Sequence, residues 1–167
     1  MRIVAGTARS RTILAPEGRD TRPTLDRVRE NLFNILQWHC RDAQVLDLFA
    51  GSGALALEAL SRGAAGAVLA DRDPRAVRIE RQNVKNLGFA DRARVIQAEW
   101  QETLRRLAVE NMTFQLVFLD PPYAMKDLSA VFEALRLGRM IDETSLIVVE
   151  HKAEDVPFVG DGFIVTD

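Results

Sequence analysis

A buried strand that runs directly into a glycine-rich turn and then a helix is the feature that most constrains the fold. Residues 44–49 are largely apolar and predict a strand, which leads straight into Ala50-Gly51-Ser52-Gly53-Ala54. Apolar residues at positions 55, 57, 59 and 60 then predict a helix that ends near Gly63. A strand, a glycine turn and a helix form the first unit of a nucleotide-binding α/β fold, where glycines let a ligand approach the backbone closely.

Strands and helices alternate along the rest of the chain. Apolar runs predict strands at 67–70, 94–97, 114–119 and 145–149, and helical periodicity predicts helices at 74–86, 101–109 and 128–137. This alternation predicts an α/β fold with a Rossmann-like, doubly wound and mostly parallel sheet and helices on both faces. A last strand is expected to begin at Phe163.

The first 40 residues predict an extension in front of this sheet. Residues 1–15 alternate loosely and predict a small β-hairpin with arginines at its tip. An apolar stripe over residues 25–39 predicts an amphipathic helix, with Thr24 as its N-cap. We therefore expect one domain over residues 1–167, with the extension at 1–40 and the core at 41–167.

One predicted strand stops abruptly at Asp120-Pro121-Pro122-Tyr123. Proline lacks a backbone N–H and fixes φ, so the strand cannot continue and the chain leaves it as a stiff loop. The carboxyl ends of strands are where ligands bind in open α/β sheets. A well-made turn is the simpler interpretation of these four residues, because Asp and Pro are common in turns.

The same four residues suit chemistry on an exocyclic amine of a nucleobase. The lone pair of such an amine is delocalised into the ring. A carboxylate and a rigid carbonyl could accept the two hydrogens of the amine and so redirect the lone pair toward an electrophilic carbon. Asp120 supplies the carboxylate, Pro121 and Pro122 hold the carbonyl, and Tyr123 could stack on the base. Positioning and electrostatics would then carry the rate.

An acidic residue marks a ribose site. Asp71 ends the second predicted strand, 20 positions after Gly51, which is the spacing expected of a residue that binds ribose hydroxyls. The loop and Asp71 alone do not separate a nicotinamide enzyme from another adenosine-ribose binder. Asp47 favours a sulfonium cofactor, because its carboxylate suits a cationic α-amino group and would not help to bind a pyrophosphate.

The composition argues against secreted, membrane-spanning, disulfide-bonded and metal-binding proteins. The 167 residues carry a net charge of −2 and show neither a signal peptide nor an apolar run long enough to span a membrane. A single cysteine, Cys40, excludes an internal disulfide and suits a reducing cytoplasm. With two histidines and one cysteine, the sequence has no plausible zinc spacing, and we expect no metal.

The charge is unevenly distributed along the chain. Residues 1–29 hold seven arginines and three acids, a net charge of +4, so the remainder carries −6. A basic N-terminal segment followed by an acidic remainder is typical of a protein with one surface that binds phosphates. A solvated arginine-rich surface explains the same charge distribution equally well. For the arginines at positions 72, 75, 78 and 81, a solvated helix face is the favoured interpretation.

Two motifs together resemble the class I S-adenosylmethionine-dependent amino-methyltransferases: residues 47–53 and residues 120–123. The N-terminal extension indicates a particular family within this class. Its residues 2–6, 21–24, 26–30 and 32–36 resemble the RsmD-type 16S rRNA guanine-N2 methyltransferases. Residues 55–63 and 148–151 agree as well, so the resemblance covers nearly the whole chain.

The resemblance implies methyl transfer from S-adenosyl-L-methionine to the exocyclic N2 amine of one guanine in 16S rRNA, within the small ribosomal subunit or its assembly intermediate. It implies a cytoplasmic enzyme, and we expect a monomer. Asp120, Pro121, Pro122 and Tyr123 would be catalytic. The implied cofactor-binding residues are Asp47, Phe49, Ala50, Gly51, Ser52, Gly53, Asp71, Arg72, Glu99, Trp100, Arg22 and Thr24. The implied RNA-binding residues are Arg9, Arg11, Arg22 and Arg27.

The chain departs from the family at three places. Glu99 stands where an aspartate is usual near the adenine, and Trp100 replaces a small residue. The family continues past residue 167 with a strand that pairs with the one predicted at Phe163, so an exposed sheet edge is expected. The alternatives are a methyltransferase acting on amines of DNA or another RNA, a non-catalytic nucleotide- or RNA-binding module, and a nicotinamide enzyme.

Overall fold

The computed structural model describes residues 1–17 and 23–166, with the side chains of Pro23 and Thr24 excepted. Five parallel strands form one sheet in the order β3-β2-β1-β4-β5. In chain order the elements are α1 (Pro23–Ile35), α2 (Gln37–Cys40), β1 (Gln44–Asp47), α3 (Ala54–Ser61), β2 (Gly66–Asp71), α4 (Pro74–Asn86), β3 (Ala93–Gln97), α5 (Trp100–Val109), β4 (Leu116–Leu119), α6 (Ser129–Leu137) and β5 (Leu146–Val149). The predicted α/β fold is confirmed, and most element bounds differ from the expected ones by only one or two residues.

The sheet is covered on both faces, which explains why its central strands are apolar runs without alternation. Successive residues of β1 point to opposite faces: Val45 joins an apolar cluster with α1, α3 and α4, and Leu46 joins a second cluster with α5 and α6. All four residues of β4 are buried. The two clusters hold the sheet rigidly from both sides, so the ends of its strands are fixed points.

The strand order determines where a ligand can bind. From β1 the chain moves outward through β2 to β3, and it then returns to the other side of β1 for β4 and β5. The order therefore reverses between β1 and β4, and such a switch point opens a crevice at the carboxyl ends of the strands. Asp47 ends β1 at this crevice, and Asp120 follows β4 there.

The N-terminal hairpin is present as paired backbone with a single bridge, between Arg2 and Thr12, and without regular strands. The amide of Ile3 donates to the Arg11 carbonyl (2.9 Å), and the amide of Ile13 donates to the Met1 carbonyl (2.9 Å). This hairpin folds onto α3, so the extension and the core share one apolar cluster.

Two details of the following helix were wrong in the prediction. The helix begins at Pro23, so Thr24 lies inside its first turn and is not the N-cap. Proline is favoured at the first helical position because its φ is already helical and its missing N–H would have no partner there. The predicted helix over residues 25–39 is also interrupted at Leu36, between α1 and α2.

The strand expected from Phe163 does not form. Residues 163–166 adopt no regular structure, and Ile164 is 96 % exposed. A strand needs the backbone of a neighbour, and β5 pairs only with β4 within the described part of the chain. Phe163 instead packs its ring edge-on against Phe132, with centroids 4.7 Å apart. The outer edge of β5 therefore faces no strand among the described residues, whereas the sequence predicted an exposed edge on the strand at Phe163.

Candidate active site

The glycine turn joins β1 to α3 at the crevice. Gly51 and Gly53 both have positive φ, 60° and 81°, a conformation that side chains other than that of glycine rarely adopt. Gly53 directly precedes α3, and a Cβ there would lie 2.6 Å from Cδ2 of Leu69 on β2. Glycine is required at this position both for its backbone angle and for its closeness to β2.

Asp71 fixes the turn from the neighbouring strand. Its Oδ2 accepts from the Gly51 amide (3.0 Å), and its Oδ1 accepts from the Asp73 amide (2.9 Å). An ionised carboxylate offers about four acceptor positions, so the side chain keeps capacity for ribose hydroxyls. The predicted ribose ligand is thus also the group that holds the glycine turn in place.

Asp47 is buried under the turn, with 1 % of its surface exposed. Its Oδ2 accepts from the Ala56 amide in the first turn of α3 (3.3 Å), and its Oδ1 has no hydrogen-bond partner within the described residues. Burial, followed by the negative charges of Asp120, Asp71 and Glu150, raises the pKa of Asp47 to about 8, against the opposing effect of the Ala56 amide. A buried acceptor oxygen without a partner suits a cationic ammonium group.

A second buried carboxyl lies below the turn and was missed by the sequence reasoning. Glu80 of α4 is fully buried, neither of its oxygens has a partner among the described residues, and its Cγ lies 3.7 Å from the Cβ position of Gly53. Burial and the charges of Asp47 and Asp71 raise its pKa to about 9. The signal was available, because Glu80 occupies the buried face of α4 with Ala76, Val77 and Val84.

The Asp-Pro-Pro-Tyr turn lies across the crevice from Asp71. Asp47 is level with Leu69 of β2 and with Phe118 of β4, so Asp71 and Asp120 each lie two residues further toward the carboxyl edge, one on either side. Two residues of strand correspond to about 6–7 Å. The structure therefore brings Asp120 to the same edge as the glycine turn, as predicted.

Tyr123 is 74 % exposed beyond this turn, and the turn is closed by a hydrogen bond from the Met125 amide to the Pro122 carbonyl (2.9 Å). The ammonium of Lys152 lies 4.5 Å from the centre of the Tyr123 ring, a cation–π contact. Lys152 follows β5 and was not predicted to contact this site. An exposed ring at the mouth of the crevice is available to stack on a base.

On the β3 side of the crevice, Arg72 and Glu99 form a loose ion pair (3.9 Å) with both side chains mostly exposed. Glu99 precedes α5 but makes no capping hydrogen bond with its side chain. Trp100 begins α5 and packs partly against the second apolar cluster. Phe49 packs against the same cluster, Ala50 is half-buried in the turn, and Ser52 is buried with its carbonyl bonded to Asn83.

Three of the predicted RNA-binding arginines, Arg9, Arg11 and Arg27, lie among the described residues, and all three are exposed. Arg9 and Arg11 are exposed on the hairpin, and the Arg11 guanidinium donates to the Asn86 carbonyl at the end of α4, opposite the crevice. Arg27 is exposed on α1. Arg22 and the Thr24 side chain lie outside the described residues. The structure therefore does not bring Arg11 to the glycine turn, and the RNA-binding roles stay predictions.

A buried ion network holds the N-terminal extension against the core. Glu58 of α3 is fully buried and accepts from the Val4 and Ala5 amides (2.9 and 3.1 Å) and from Arg62 (2.9 Å). Arg29 of α1, itself only 5 % exposed, lies 3.6 Å from the same carboxylate. The amide contacts join residues more than 50 positions apart, so no local pattern predicts them. The one sign of them in the sequence is Glu58 itself, a charged residue within the largely apolar α3.

The sequence model of the family described as conserved hypothetical protein 95 matches residues 1–163. The chain belongs to this family. Its relatives include the ribosomal RNA small subunit methyltransferase D of Escherichia coli K12, which is 43 % identical over 93 % of this chain and 76 % of the relative. The protein of the same name from Haemophilus influenzae is 32 % identical over 95 % of this chain and 82 % of its own length.

Solved structures agree with this membership. The E. coli protein yhhF superposes with a TM-score of 0.81 at 39 % identity, over 96 % of this chain and 86 % of that one. A hypothetical protein from Thermus thermophilus gives a TM-score of 0.75 at 36 % identity, over 89 % of this chain and 84 % of that one. The resemblance drawn from the two motifs and the N-terminal extension is confirmed, and so is the prediction of an rRNA methyltransferase at the level of the family.

Two kinds of feature are absent from the described residues. No helix there is both long and apolar enough to cross a membrane. Within the same residues, no three side chains of His, Cys, Asp or Glu are grouped so that they could hold a metal ion.

Proposed function

We propose that this protein transfers a methyl group from S-adenosylmethionine to the exocyclic N2 amine of a guanine in the 16S rRNA of the small ribosomal subunit. The observation that carries the proposal is the position of Asp120, which follows the strand next to Asp47 at the switch point of the sheet. The names of the relatives add support, since they describe methyltransferases of small-subunit RNA.

The residues present fit the cofactor, which supplies an electrophilic methyl group on a sulfonium. The unpartnered Oδ1 of Asp47 would hold the α-ammonium group, and the remaining acceptor positions of Asp71 would take the ribose hydroxyls. The positive φ of Gly51 and Gly53 would shape the turn so that its backbone meets the methionine part. Trp100 and Glu99 would line the adenine side.

The acceptor amine would be activated by the Asp-Pro-Pro-Tyr turn. Asp120 accepts one N–H, and the second goes to the carbonyl of Pro121, because the Pro122 carbonyl already accepts from Met125. With both hydrogens held, the nitrogen lone pair is directed out of the ring system and toward the methyl group. Tyr123 stacks on the base, a contact of about 1–3 kcal/mol.

The guanine must leave its stack to enter the crevice, which favours an unpaired or locally opened segment of the RNA. The partner is the small ribosomal subunit or an intermediate of its assembly. We further propose that the protein works as a monomer in the cytoplasm without a metal ion.

The test is transfer of tritiated methyl from S-adenosylmethionine to small subunits from a strain that lacks the gene, followed by digestion and nucleoside analysis. Labelled N2-methylguanosine is the expected product. Naked DNA and free 16S rRNA are offered in parallel. A label on DNA, on another nucleoside, or on no acceptor at all would contradict the proposal, and the last result would favour a non-catalytic binding module.

A further inference from the structure

Several exposed cations among the described residues form an ion pair with a nearby carboxylate. Arg75 pairs with Asp73, Arg94 with Glu110, and Lys126 with Asp155, and further pairs are formed by Arg105, Arg106 and Arg136. Three successive cations of α4 differ. Within the described part of the chain, Arg78, Arg81 and Lys85 have no carboxylate within 4.0 Å. Their charge is therefore available to a partner.

These three side chains share one face of α4. Helical residues three and four positions apart lie about 5–6 Å from each other on the surface. Arg78, Arg81 and Lys85 line a shallow groove of about 400 Å³ together with Pro74, Gln82 and Gln97. Gln97 ends β3 and Pro74 begins α4, so one end of the groove opens at the carboxyl edge that holds the candidate active site.

A fourth cation extends the row at the other end of the helix. Arg11 is held there by its hydrogen bond to the Asn86 carbonyl. Arg11, Lys85, Arg81 and Arg78, which we call the α4 basic track, thus follow a helix of 13 residues, about 20 Å long, toward the glycine turn. The track links the predicted RNA-binding hairpin to the edge where the reaction is proposed to occur.

The acid nearest in sequence does not cancel this charge. Glu80 points to the buried side of α4, away from the solvent face that carries Arg78, Arg81 and Lys85. Burial and the charges of Asp47 and Asp71 also raise its pKa to about 9, although the charge of Arg81 acts in the opposite direction. Among the described residues, the solvent face of α4 therefore presents these positive charges without a carboxylate beside them on that face.

We propose that the α4 basic track binds the phosphodiester backbone of the rRNA segment that flanks the target guanine. A row of cations without partners complements a polyanion, and glutamines such as Gln82 and Gln97 can donate to phosphate or ribose oxygens. Among the described residues, the lining of the groove contains no aromatic side chain and Pro74 is its one apolar residue, whereas protein–protein interfaces have an apolar and aromatic centre. The chemistry therefore favours RNA over an acidic protein.

This assignment revises the interpretation of the arginine series as a solvated face. Arg72 and Arg75 are paired with Glu99 and Asp73, and they fit that interpretation. Arg78 and Arg81 belong with Lys85 in the groove. Phosphate contacts position an RNA without reading its sequence, so the track would set affinity and orientation, and the choice of base would be left to the crevice.

The inference rests on the proposed RNA substrate, and its test measures binding separately from turnover. The variant Arg78→Gln, Arg81→Gln, Lys85→Gln is compared with the matched control Arg105→Gln, Arg106→Gln, Arg136→Gln, which removes the same charge from α5 and α6. Affinity for unmodified small subunits and for free 16S rRNA is measured at several salt concentrations. Thermal unfolding and cofactor titration verify that both variants are folded.

We expect the track variant to bind both RNAs at least about tenfold more weakly at low salt, and the slope of log K against log salt to become shallower by about 2–3. Its KM for small subunits should rise while kcat at saturation stays close to that of the parent, and the control should match the parent. Unchanged affinity and an unchanged salt slope would overturn the inference. Weaker binding to subunits with unchanged binding to free rRNA would also overturn it, because that result would indicate a protein partner. Absence of methyl transfer by the parent would refute the proposed function instead.

Discussion

The two halves of the crevice are built differently. On the β1 and β2 side, the glycine turn is held by the Asp71 carboxylate, Asp47 is buried beneath it, and Gly53 lies close against the neighbouring strand. On the β4 side, Asp120 is only half-buried, and Tyr123 extends into solvent beyond two prolines. The first half is fixed by the sheet itself, whereas the second is a stiff exposed turn.

This difference suggests that one half of the crevice binds the cofactor and the other receives the RNA. A small cofactor must be enclosed by groups already in position, and the fold supplies them at the switch point. A large RNA brings its own structure, so the acceptor half needs only a few rigid groups and a charged surface that orients the backbone. A substitution in one half of the crevice should therefore leave the function of the other half largely unchanged.

The largest effect is expected from Asp120→Asn, which removes the charge that we propose accepts the amine hydrogen. Methyl transfer should fall by at least about 10²-fold, in the range seen when one charge-stabilising group is lost, with cofactor affinity nearly unchanged. Tritium transfer and calorimetry measure the two effects. Asp91→Asn alters an exposed acid before β3 and should leave both values unchanged; equal losses in the two variants would argue against a catalytic Asp120.

The opposite half is disturbed by Gly53→Ala. Positive φ costs about 1–2 kcal/mol for a residue with a Cβ, and the contact with Leu69 adds about 1–3 kcal/mol of overpacking. Gly88→Ala is the matched control, because Gly88 also has positive φ but no atom within 4 Å of its Cβ position. Urea unfolding should show a larger loss for Gly53→Ala, which should also weaken cofactor binding and leave affinity for RNA intact.

A smaller effect is expected at Tyr123. Replacement by alanine should weaken binding of the substrate RNA by about 1–3 kcal/mol, and replacement by phenylalanine should retain most of the affinity because the stacking face remains. Binding of S-adenosylmethionine should not change in either variant. A phenylalanine variant as weak as the alanine one would indicate that the hydroxyl acts, and not the ring.

Stability should also depend on pH, an effect that involves neither substrate nor cofactor. The pKa of Glu80 is raised in the folded protein to about 9 from an ordinary 4.5, so the folded state holds this proton more tightly than the unfolded chain does. Its contribution is full below pH 4.5 and is lost as pH rises through 9, at about 1.4 kcal/mol per unit. Glu80→Gln should flatten the decline of unfolding free energy between about pH 6 and 8. The exposed Glu143→Gln should leave that decline as it is.

Local patterns predicted most of the fold and half of the site. The strand–turn–helix unit, the spacing from Gly51 to Asp71 and the prolines after Asp120 are all visible along the chain, so the sequence alone shows them. Their convergence at one edge follows from the parallel order of the strands.

What escaped prediction depends on partners distant in sequence. Glu58 meets the amides of Val4 and Ala5, and Glu80 lies under Gly53, and neither contact leaves a local pattern. The apolar run at residues 163–165 looks like a strand, but strand formation needs a neighbouring backbone, which pattern alone does not provide.

If the cofactor half is complete before RNA arrives, S-adenosylmethionine binds to the protein alone, and a titration in the absence of RNA measures this binding. We predict binding of one equivalent by the parent and by Asp120→Asn with similar affinity. We predict much weaker binding by Asp47→Asn, because an amide cannot provide a carboxylate to the ammonium group. Binding that appears only after small subunits are added, or that is lost equally in Asp120→Asn and Asp47→Asn, would contradict the account.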